Sequence, residues 1–230
     1  MTRRADQLYY LLSALFIAAL ITCNIIANKF ISLDIDLGFW KKTFTLSAGV
    51  LPYPLTFLIT DILSEIYGRK RTSRVVYAGF FASLFVLFIL WLGAVFPAIP
   101  DSPVSDAVYY QVFQNSARII GASMIAYLTA QLIDVRLFHF WKKRTGGKHL
   151  WMRNNFSTIL SQGVDTTLVV LILFVGKLPA STMTEYIADG WLFKILIALV
   201  DTAIIYGVLA LIRPWLSLKF GEEVPEEEAA

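Results

Sequence analysis

Long runs of apolar residues alternate along the chain with short polar segments. Each run is about 20 residues long, the length that a helix needs to cross a bilayer core roughly 30 Å thick. The pattern therefore predicts an all-α membrane protein with six transmembrane helices. The predicted spans are residues 8–30, 43–67, 75–96, 118–140, 155–177 and 190–212.

The composition favours a membrane domain over a soluble one. The chain has 230 residues, 57% of them hydrophobic, and a mean hydropathy of +0.64. Soluble domains are nearer half apolar. Residues 1–220 are predicted to form a single transmembrane domain, and the acidic segment 221–230 is predicted to be a disordered tail. The single cysteine, Cys23, has no partner for a disulfide within the chain.

The placement of basic residues predicts the orientation in the membrane. Fourteen of the 20 lysines and arginines lie in segments on one side of the predicted membrane. Because cytoplasmic loops carry the excess of positive charge, both termini are predicted to be cytoplasmic, which an even number of spans also requires. The halves are compatible with a 3+3 inverted repeat, because their middle helices run in opposite directions and carry Asp61 and Asp165.

Two local patterns concern the ends of helices. Ser105 followed by Asp106 predicts a helix start in the longest external loop. Pro52 and Pro54 fall inside the predicted second span, where each removes a backbone donor. They are compatible with a broken helix of the kind that lines transporter sites, with an ordinary kink, or with a helix that begins only at Pro54.

Polar residues recur three or four positions apart within the spans, which places them on one face of each helix. A charge in hydrocarbon is costly, so these faces are expected to line a water-filled path or a binding site. The third span lacks such a face and is expected to contact lipid. The polar faces comprise Asn24 and Asn28; Tyr53, Phe57, Asp61 and Glu65; Tyr127, Gln131 and Asp134; Ser157, Ser161, Gln162 and Asp165; and Lys194 and Asp201.

Structural interpretations of several polar residues stay open at the level of the sequence. Lys194 can extend its charge to the membrane interface. Asp165 lies deep in its span without a basic neighbour in sequence, which favours a functional role. The candidates for a structural role are Asp61 and Asp134, paired with Arg69, Arg74 or Arg136; Glu65, near the end of its span; and Asp201, paired with Lys194 or a backbone group.

The sequence contains none of the common motifs for hydrolytic or nucleotide-driven chemistry. It has no H-E-x-x-H pair for zinc, no G-x-S-x-G elbow and no Walker phosphate loop. His139 and His149 lack metal-ligand spacing. We therefore expect no catalytic residue, no metal, no cofactor and no nucleic-acid partner. The driving force would come from a gradient, a partner ATPase or consumption of the imported compound.

Five motifs fall on these polar faces and resemble one family when taken together. They are Asn24; Leu-Ile-Thr-Asp-Ile-Leu-Ser-Glu-Ile-Tyr-Gly at 58–68; Ala126-Tyr127 with Gln131-Leu-Ile-Asp134-Val; Phe156-Ser-Thr with Asp165-Thr166; and Phe193-Lys194 followed by Tyr206-Gly207. Between Ser13 and Leu211 the chain thus resembles the queuosine-precursor transporter family, also called the vitamin uptake transporter family. The match is softest at Glu65.

The resemblance implies import of 7-deazaguanine bases that are salvaged for the tRNA base queuosine. These are the 7-cyano (preQ0) and 7-aminomethyl (preQ1) precursors, and the implied location is the bacterial inner membrane, as a multi-pass protein. A carboxylate can accept two adjacent N–H groups of such a base, amides can bind its carbonyl, and aromatic faces can stack on it. The expected substrate-binding residues are Asn24, Tyr53, Phe57, Asp61, Tyr127, Gln131, Asp134, Ser161, Gln162, Asp165 and Lys194.

Other functions are compatible with the same sequence. The chain is also compatible with a substrate-binding subunit that needs a separate ATPase module, with an intramembrane enzyme built on paired aspartates, and with a structural membrane protein. Beyond membrane lipid and the small-molecule substrate, a second copy of the chain in a homodimer is a further candidate partner.

Overall fold

The fold is taken from a computed structural model, which describes residues 3–27, 29–36, 38, 41–114, 117–219 and 221–225. Asn28, the distal end of one predicted polar face, and residues 226–230 of the predicted tail lie outside this described part. The elements are α1 Arg3–Ile26, β1 Phe30–Asp36, β2 Lys41–Ser47, a 3₁₀ turn Ala48–Val50, α2 Tyr53–Val95, α3 Asp106–Tyr109, a π turn Tyr110–Gln114, α4 Ala117–Arg144, α5 Leu150–Phe174 and α6 Ala180–Trp215.

Within the described residues, three helical segments are long and apolar enough to cross a membrane: Arg3–Ile26, Ala48–Val95 and Ala180–Trp215. Helices α4 and α5 have 28 and 25 residues. At a rise of 1.5 Å per residue these helices measure about 42 and 38 Å, more than the bilayer core. They carry many polar residues, and several of these, such as Gln131, Asp134 and Asp165, are buried inside the protein. Six crossings, cytoplasmic termini and the inverted repeat stay predictions.

A sharp break divides α2 at Gly68, whose φ of 76° and ψ of 174° lie outside helical geometry. Glycine adopts positive φ without the steric penalty of a Cβ atom. The break separates the second and third predicted spans, but the helix resumes at once instead of forming the predicted loop. Segment 53–67 is mostly buried, whereas segment 69–95 exposes rings such as Phe81, Phe85 and Phe88, as expected for a lipid-facing span.

A β-hairpin follows α1, so the prediction of an all-α fold was wrong for this segment. Strands Phe30–Asp36 and Lys41–Ser47 pair antiparallel, with Phe30 opposite Ser47 and Asp36 opposite Lys41. Both strands alternate apolar and polar residues, the period typical of a half-buried strand. Residues at the ends of the hairpin were included in the predicted first and second spans. Hydropathy averaged over a window does not distinguish the alternation of a strand from the periodicity of a helix.

Side chains of the hairpin join it to the helices. Phe44 is buried and its ring contacts the ring of Phe193 on α6, with 5.4 Å between centroids. The Lys42 ammonium forms an ion pair with Asp189, also on α6. Outside the membrane-spanning segments, the Lys41 ammonium and then the Gly38 N–H hold the pKa of Asp36 below its usual value. The hairpin therefore lies over one end of the helical bundle.

The structure tests the two predictions about helix ends, one at Ser105 and one at Pro52 and Pro54. The Ser105 side chain accepts a hydrogen bond from the Val108 N–H and caps α3, as predicted. Helix α2 begins at Tyr53, directly after Pro52, and Pro54 lies in its first turn. A proline in the first turn costs no helical hydrogen bond. The prolines therefore mark the start of a helix and do not break one.

The C-terminal segment differs from the prediction of a disordered tail beginning at residue 221. Val224 is buried, and its N–H donates to the Ile66 carbonyl at 2.7 Å. The Glu223 carboxylate binds the Lys142 ammonium at 2.9 Å, and Arg71 donates to the Pro225 carbonyl at 3.0 Å. One apolar residue and paired charges hold 221–225 beside the break in α2, which composition alone did not reveal.

The first part of α2 is central to the bundle. It packs against α1 and α4, α4 packs on α5, and α5 packs on α6. The core includes Phe16, Leu63, Ile66, Phe138 and Ile205, all fully buried. The polar faces of α2, α4, α5 and α6 meet inside this bundle, so the packing brings the predicted site residues of these helices into its interior.

Candidate functional site

A cavity of about 200 Å³ lies between the helices on the side covered by the hairpin. Its volume far exceeds the roughly 10–15 Å³ of accessible space that one water molecule needs. Residues from α1, the hairpin end, α2, α4, α5 and α6 line it. They are Leu20, Cys23, Asn24, Ala27, Leu46, Ser47, Gly49, Val50, Tyr53, Ser123, Tyr127, Asp165, Val169 and Lys194.

The charged centre of the cavity is an ion pair between α5 and α6. The Lys194 ammonium lies 2.5 Å from Asp165 Oδ2, and the Tyr53 hydroxyl donates to the same oxygen at 2.7 Å. Asp165 is buried, with 4% of its surface exposed. Both contacts use Oδ2, so Asp165 Oδ1 can accept hydrogen bonds from a molecule in the cavity.

Aromatic rings form one wall of the cavity. The Tyr53 ring lies edge-on to the rings of Phe57 and Tyr127, with centroid separations of 5.1 and 6.3 Å. The Lys194 ammonium lies 4.7 Å from the Tyr53 ring centroid, within cation–π range. The wall therefore combines apolar area with a fixed charge, a combination that suits a flat polar heterocycle.

Polar atoms without partners also reach this cavity. Asn24 lines it, and the Asn24 Nδ2 donor is buried with no hydrogen-bond partner in the described part of the chain. The Tyr127 hydroxyl lies near Gln131 and Thr56 without forming a hydrogen bond of good geometry to a described residue. Buried polar groups are usually satisfied, so these atoms are available to a ligand or to water.

The predicted site residues divide into three sets. Asn24, Tyr53, Tyr127, Asp165 and Lys194 line the cavity. Phe57 and Gln162 line a smaller adjoining pocket of about 20 Å³, which Tyr53, Lys194 and Asp201 also contact. The remaining four residues lie deeper and do not line either pocket: Asp61, Gln131, Asp134 and Ser161.

Lys194 does not pair with Asp201, which was one of the two alternatives left open for Asp201. Lys194 instead binds Asp165 of the neighbouring helix. The two helices pack side by side, and the Tyr53 hydroxyl on the shared oxygen adds a further hydrogen bond. Spacing within one helix cannot reveal a partner on another helix, which explains the miss.

The deeper set centres on two carboxyl groups. Asp61 of α2 and Asp134 of α4 are both buried, and each has a carboxylate oxygen that receives no hydrogen bond from a described residue. Ser161 of α5 donates to Asp134 Oδ1 at 3.0 Å. Neither acid forms an ion pair with Arg69, Arg74 or Arg136 among the described residues, so the structural salt bridges considered above were wrong.

A separate ion-pair cluster lies one helical turn below Asp61. Glu65 is fully buried; Arg213 binds its Oε1 at 2.5 Å, and Arg153 and Lys142 approach its Oε2 at 2.6 and 3.4 Å. Lys142 also donates to the Glu65 carbonyl at 3.1 Å. This cluster joins α2, α4, α5 and α6 and, through Lys142, the C-terminal segment. Glu65 is therefore a structural residue, in agreement with its position near the end of the predicted span.

Sequence reasoning missed several residues that line the cavity. Ser47 and Gly49 come from the hairpin end, and Cys23 and Ser123 come from helix faces that looked apolar. The alternation of polar and apolar residues in 30–36 and 41–47 was the available signal for the hairpin. Among the described residues no group of three or more His, Cys, Asp or Glu side chains could hold a metal ion.

Comparisons with known proteins find one matching family and several proteins of similar sequence. The family described as "Putative vitamin uptake transporter" matches residues 47–208. The chain is 26% identical over 212 residues to the "Queuosine precursor transporter" of Escherichia coli (strain K12), covering 90% of this chain and 88% of that protein. It is 26% identical over 169 residues to the "Probable queuosine precursor transporter" of Bacillus subtilis (strain 168), covering 73% of each. No solved structure matches the chain.

Proposed function

The chain belongs to the vitamin uptake transporter family, and from this premise we propose that it imports 7-deazaguanine precursors of queuosine. It is a multi-pass membrane protein and a transporter, not an enzyme. The proposed substrates follow from the names of its relatives in Escherichia coli and Bacillus subtilis. The observation that carries the proposal is a single buried carboxylate, Asp165, with a spare acceptor oxygen in a cavity with an aromatic wall.

In the proposed complex, Asp165 accepts the adjacent N–H groups of the guanine-like edge. Lys194 and Tyr53 keep the carboxylate in place through Oδ2. Asn24 donates to a ring carbonyl or nitrogen, and the Tyr53 and Tyr127 rings contact the faces of the base. Charge-assisted hydrogen bonds of this kind are about twice as strong as neutral ones.

The charge of the cavity favours the 7-cyano precursor. Lys194 neutralises Asp165, so the cavity has no surplus negative charge to attract the cationic aminomethyl group of the other precursor. We therefore propose that the neutral 7-cyano compound binds more tightly. Within this proposal Phe57 and Gln162 belong to the adjoining pocket, and Asp61, Gln131, Asp134 and Ser161 do not contact the base.

The membrane arrangement follows the sequence prediction of six crossings in the bacterial inner membrane with cytoplasmic termini. The cavity then lies towards the outer side, because α1 runs outward from the N-terminus and the hairpin follows it. The Glu65 cluster and residues 221–225 lie towards the cytoplasm. Uptake would require this cluster to open as the outer side closes, the alternating access typical of secondary transporters.

The experiment uses a bacterium that can neither synthesise queuosine precursors nor import them. The chain is expressed, each precursor is supplied outside at low concentration, and tRNA is assayed for the modified base. We expect modification with wild-type protein and its loss with Asp165→Asn, while Asp101→Asn at an exposed position serves as the matched control. Modified tRNA in cells that express Asp165→Asn at normal level would contradict the assignment.

The purified chain in liposomes separates the competing interpretations. Transport by the chain alone excludes a requirement for an ATPase module, and recovery of unchanged base from the lumen excludes an enzyme. Cys23 provides a site-directed readout, since it is the only cysteine and lines the cavity. The 7-cyano compound is expected to slow its reaction with a thiol reagent, and an unchanged rate at saturating ligand would count against this cavity.

A further inference from the structure

A narrow pocket adjoins the cavity between α2, α5 and α6, and the contacts proposed above for the base do not extend into it. The cavity and this pocket share Val50, Tyr53 and Lys194, so the two spaces are direct neighbours. The volume of the pocket, about 20 Å³, is slightly more than one water molecule needs. The pocket can therefore hold a small substituent of the base, but not one of its rings.

Gln162 of α5 lines this pocket and has an amide group that no described residue satisfies. The residue is 2% exposed, and neither its Nε2 nor its Oε1 atom has a hydrogen-bond partner within the described part of the chain. Buried polar groups are usually satisfied. The amide therefore has both donor hydrogens and an acceptor oxygen available to a ligand in the pocket.

Asp201 of α6 lines the same pocket and provides a carboxylate without a cation. It is partly buried, and among the described residues it forms neither an ion pair nor a hydrogen bond. Lys194, seven residues earlier on the same helix, is bound to Asp165. The charges that line the main cavity are therefore balanced, whereas the adjoining pocket has one unpaired carboxylate.

Aromatic rings form the remaining polarisable wall of the pocket. Tyr53 and Phe57 of α2 and Phe193 of α6 line it, and both phenylalanines are buried. Such rings pack against a slim neutral group, and their faces also attract a cation. Thr158 lines the pocket too, but its hydroxyl also lies near Asp134, so the assignment rests on Gln162 and Asp201.

The position of Gln162 along α5 agrees with the proposed contacts of the base. Gln162 and Asp165 are three residues apart, which makes them neighbours on one helix face and separates them by about 4.5 Å along the helix axis. A base whose guanine-like edge is bound by Asp165 extends over a comparable distance. Its five-membered ring can therefore direct the 7-substituent towards Gln162.

We propose that this pocket is the subsite for the 7-substituent of the base, and that Gln162 and Asp201 recognise the two precursors through different atoms. The inference rests on the proposed function and deepens it. The nitrile nitrogen of the 7-cyano compound accepts a hydrogen bond from Gln162 Nε2. The ammonium of the 7-aminomethyl compound donates to Gln162 Oε1 and to the Asp201 carboxylate. Because an ammonium loses more hydration than a nitrile on burial, Asp201 offsets only part of that cost, and the 7-cyano compound keeps the higher affinity.

The first test measures equilibrium binding of three bases to purified wild-type protein and to Gln162→Leu. The bases are the 7-cyano compound, the 7-aminomethyl compound and 7-deazaguanine, which has no substituent at this position. Gln162→Leu should bind the 7-cyano compound about fivefold more weakly, because one hydrogen bond is lost, and should bind 7-deazaguanine within about twofold of wild type. Gln111→Leu at an exposed position is the matched control. Equal weakening for all three bases, or undiminished affinity for the 7-cyano compound, would overturn the proposal.

The second test removes the charge of the pocket. Asp201→Asn should bind the 7-aminomethyl compound at least about tenfold more weakly, because it loses a charge-assisted hydrogen bond. Its affinity for the 7-cyano compound should change less than about twofold, since the nitrile makes no contact with this carboxylate in the proposed complex. Glu185→Gln, at an exposed position of the same helix, should bind both compounds like wild type. The same loss for both precursors would show that Asp201 does not recognise the substituent.

A third variant keeps the test decisive if Gln162→Leu does not fold. Ala198 is buried and lines the pocket but not the cavity, so Ala198→Val reduces the space for the substituent alone. Both substituted bases should bind at least about fivefold more weakly while 7-deazaguanine binds as before, and undiminished affinity for both would contradict the assignment. Wild-type protein that binds none of the three bases would reject the proposed function. Wild-type protein that binds them, with variants that affect all three alike, would reject only this inference.

Discussion

Asp165 and Glu65 are both buried acids that bind basic residues of neighbouring helices, yet their surroundings differ. Asp165 has one cation and one hydroxyl on a single oxygen and borders a cavity of about 200 Å³. Glu65 is approached by three cations, with an ion pair to each of its carboxylate oxygens. A carboxylate with a free oxygen beside open space can bind a ligand, whereas one enclosed by cations joins helices. The same chemical group, a buried carboxylate, therefore borders open space in one region and joins helices in the other.

The largest effect is expected from Glu65→Gln. The neutral side chain would leave Arg153, Arg213 and Lys142 buried without their shared counter-charge. Removing one partner of a buried ion pair costs about 3–5 kcal/mol, which is comparable to a large part of total stability. Thermal unfolding in detergent measures this loss of stability, and Glu185→Gln at an exposed position is the control. An unchanged unfolding temperature for Glu65→Gln would remove the contrast between the regions.

The next effect concerns the C-terminal segment, which belongs to the Glu65 region. Val224→Asp places a charge where an apolar side chain is buried against the core, and the segment should detach. Losing this burial costs about 1–3 kcal/mol. Limited proteolysis of 221–225 and thermal unfolding report the change, and Glu222→Gln is the neighbouring control. Substrate binding by the folded fraction should be retained, so a selective loss of binding would mean that the two regions are not separate.

A smaller effect is expected in the cavity from Tyr53→Phe. The ring and its contacts with Phe57 and Tyr127 remain, but the hydrogen bond to Asp165 is lost. One such bond contributes about 1–1.5 kcal/mol, so affinity for the 7-cyano compound should fall about tenfold. Tyr10→Phe at an exposed position should bind normally. Equal affinities in an equilibrium binding assay would show that the hydroxyl does not orient Asp165.

The smallest effect is expected from Lys41→Ala in the hairpin. The pair of Lys41 with Asp36 is exposed, and exposed pairs contribute little because water and salt screen them. The pKa of Asp36 should rise towards its ordinary value, since its largest lowering influence is removed. The unfolding temperature and uptake should match wild type. A clear loss of either would show that even solvated pairs matter in this chain.

The sequence predicted the helical spans better than it predicted their connections. The apolar runs of α1, α2 and α6 were clear, because a helix that contacts lipid is apolar over most of its surface. The hairpin was missed because strand-like alternation over seven residues gives a weak signal beside long apolar runs. The break at Gly68 replaced a predicted loop, since a single glycine at positive φ redirects the chain without extra residues.

The sequence predicted which helix faces carry the site residues, but not which of these residues pair with each other. Helical spacing correctly placed Tyr53 with Asp61 and Tyr127 with Gln131 on inward faces. It could not show that Asp165 binds Lys194 or that Glu65 collects three cations, since these contacts join different helices. The polar faces predicted from the sequence separate into the residues of a cavity, a deeper set that includes Asp61 and Asp134, and an ion-pair cluster around Glu65.

Equilibrium binding of the 7-cyano compound to purified protein tests the central claim most directly. Wild type should bind saturably, whereas Asp165→Asn should bind at least about 100-fold more weakly, because it loses charge-assisted hydrogen bonds in a buried site. The double variant Asp165→Asn/Lys194→Met, which leaves no unpaired charge at this position, should bind equally weakly and shows that the loss does not come from an unpaired Lys194. Undiminished affinity in folded Asp165→Asn would contradict the account, because the cavity carboxylate would then not recognise the base.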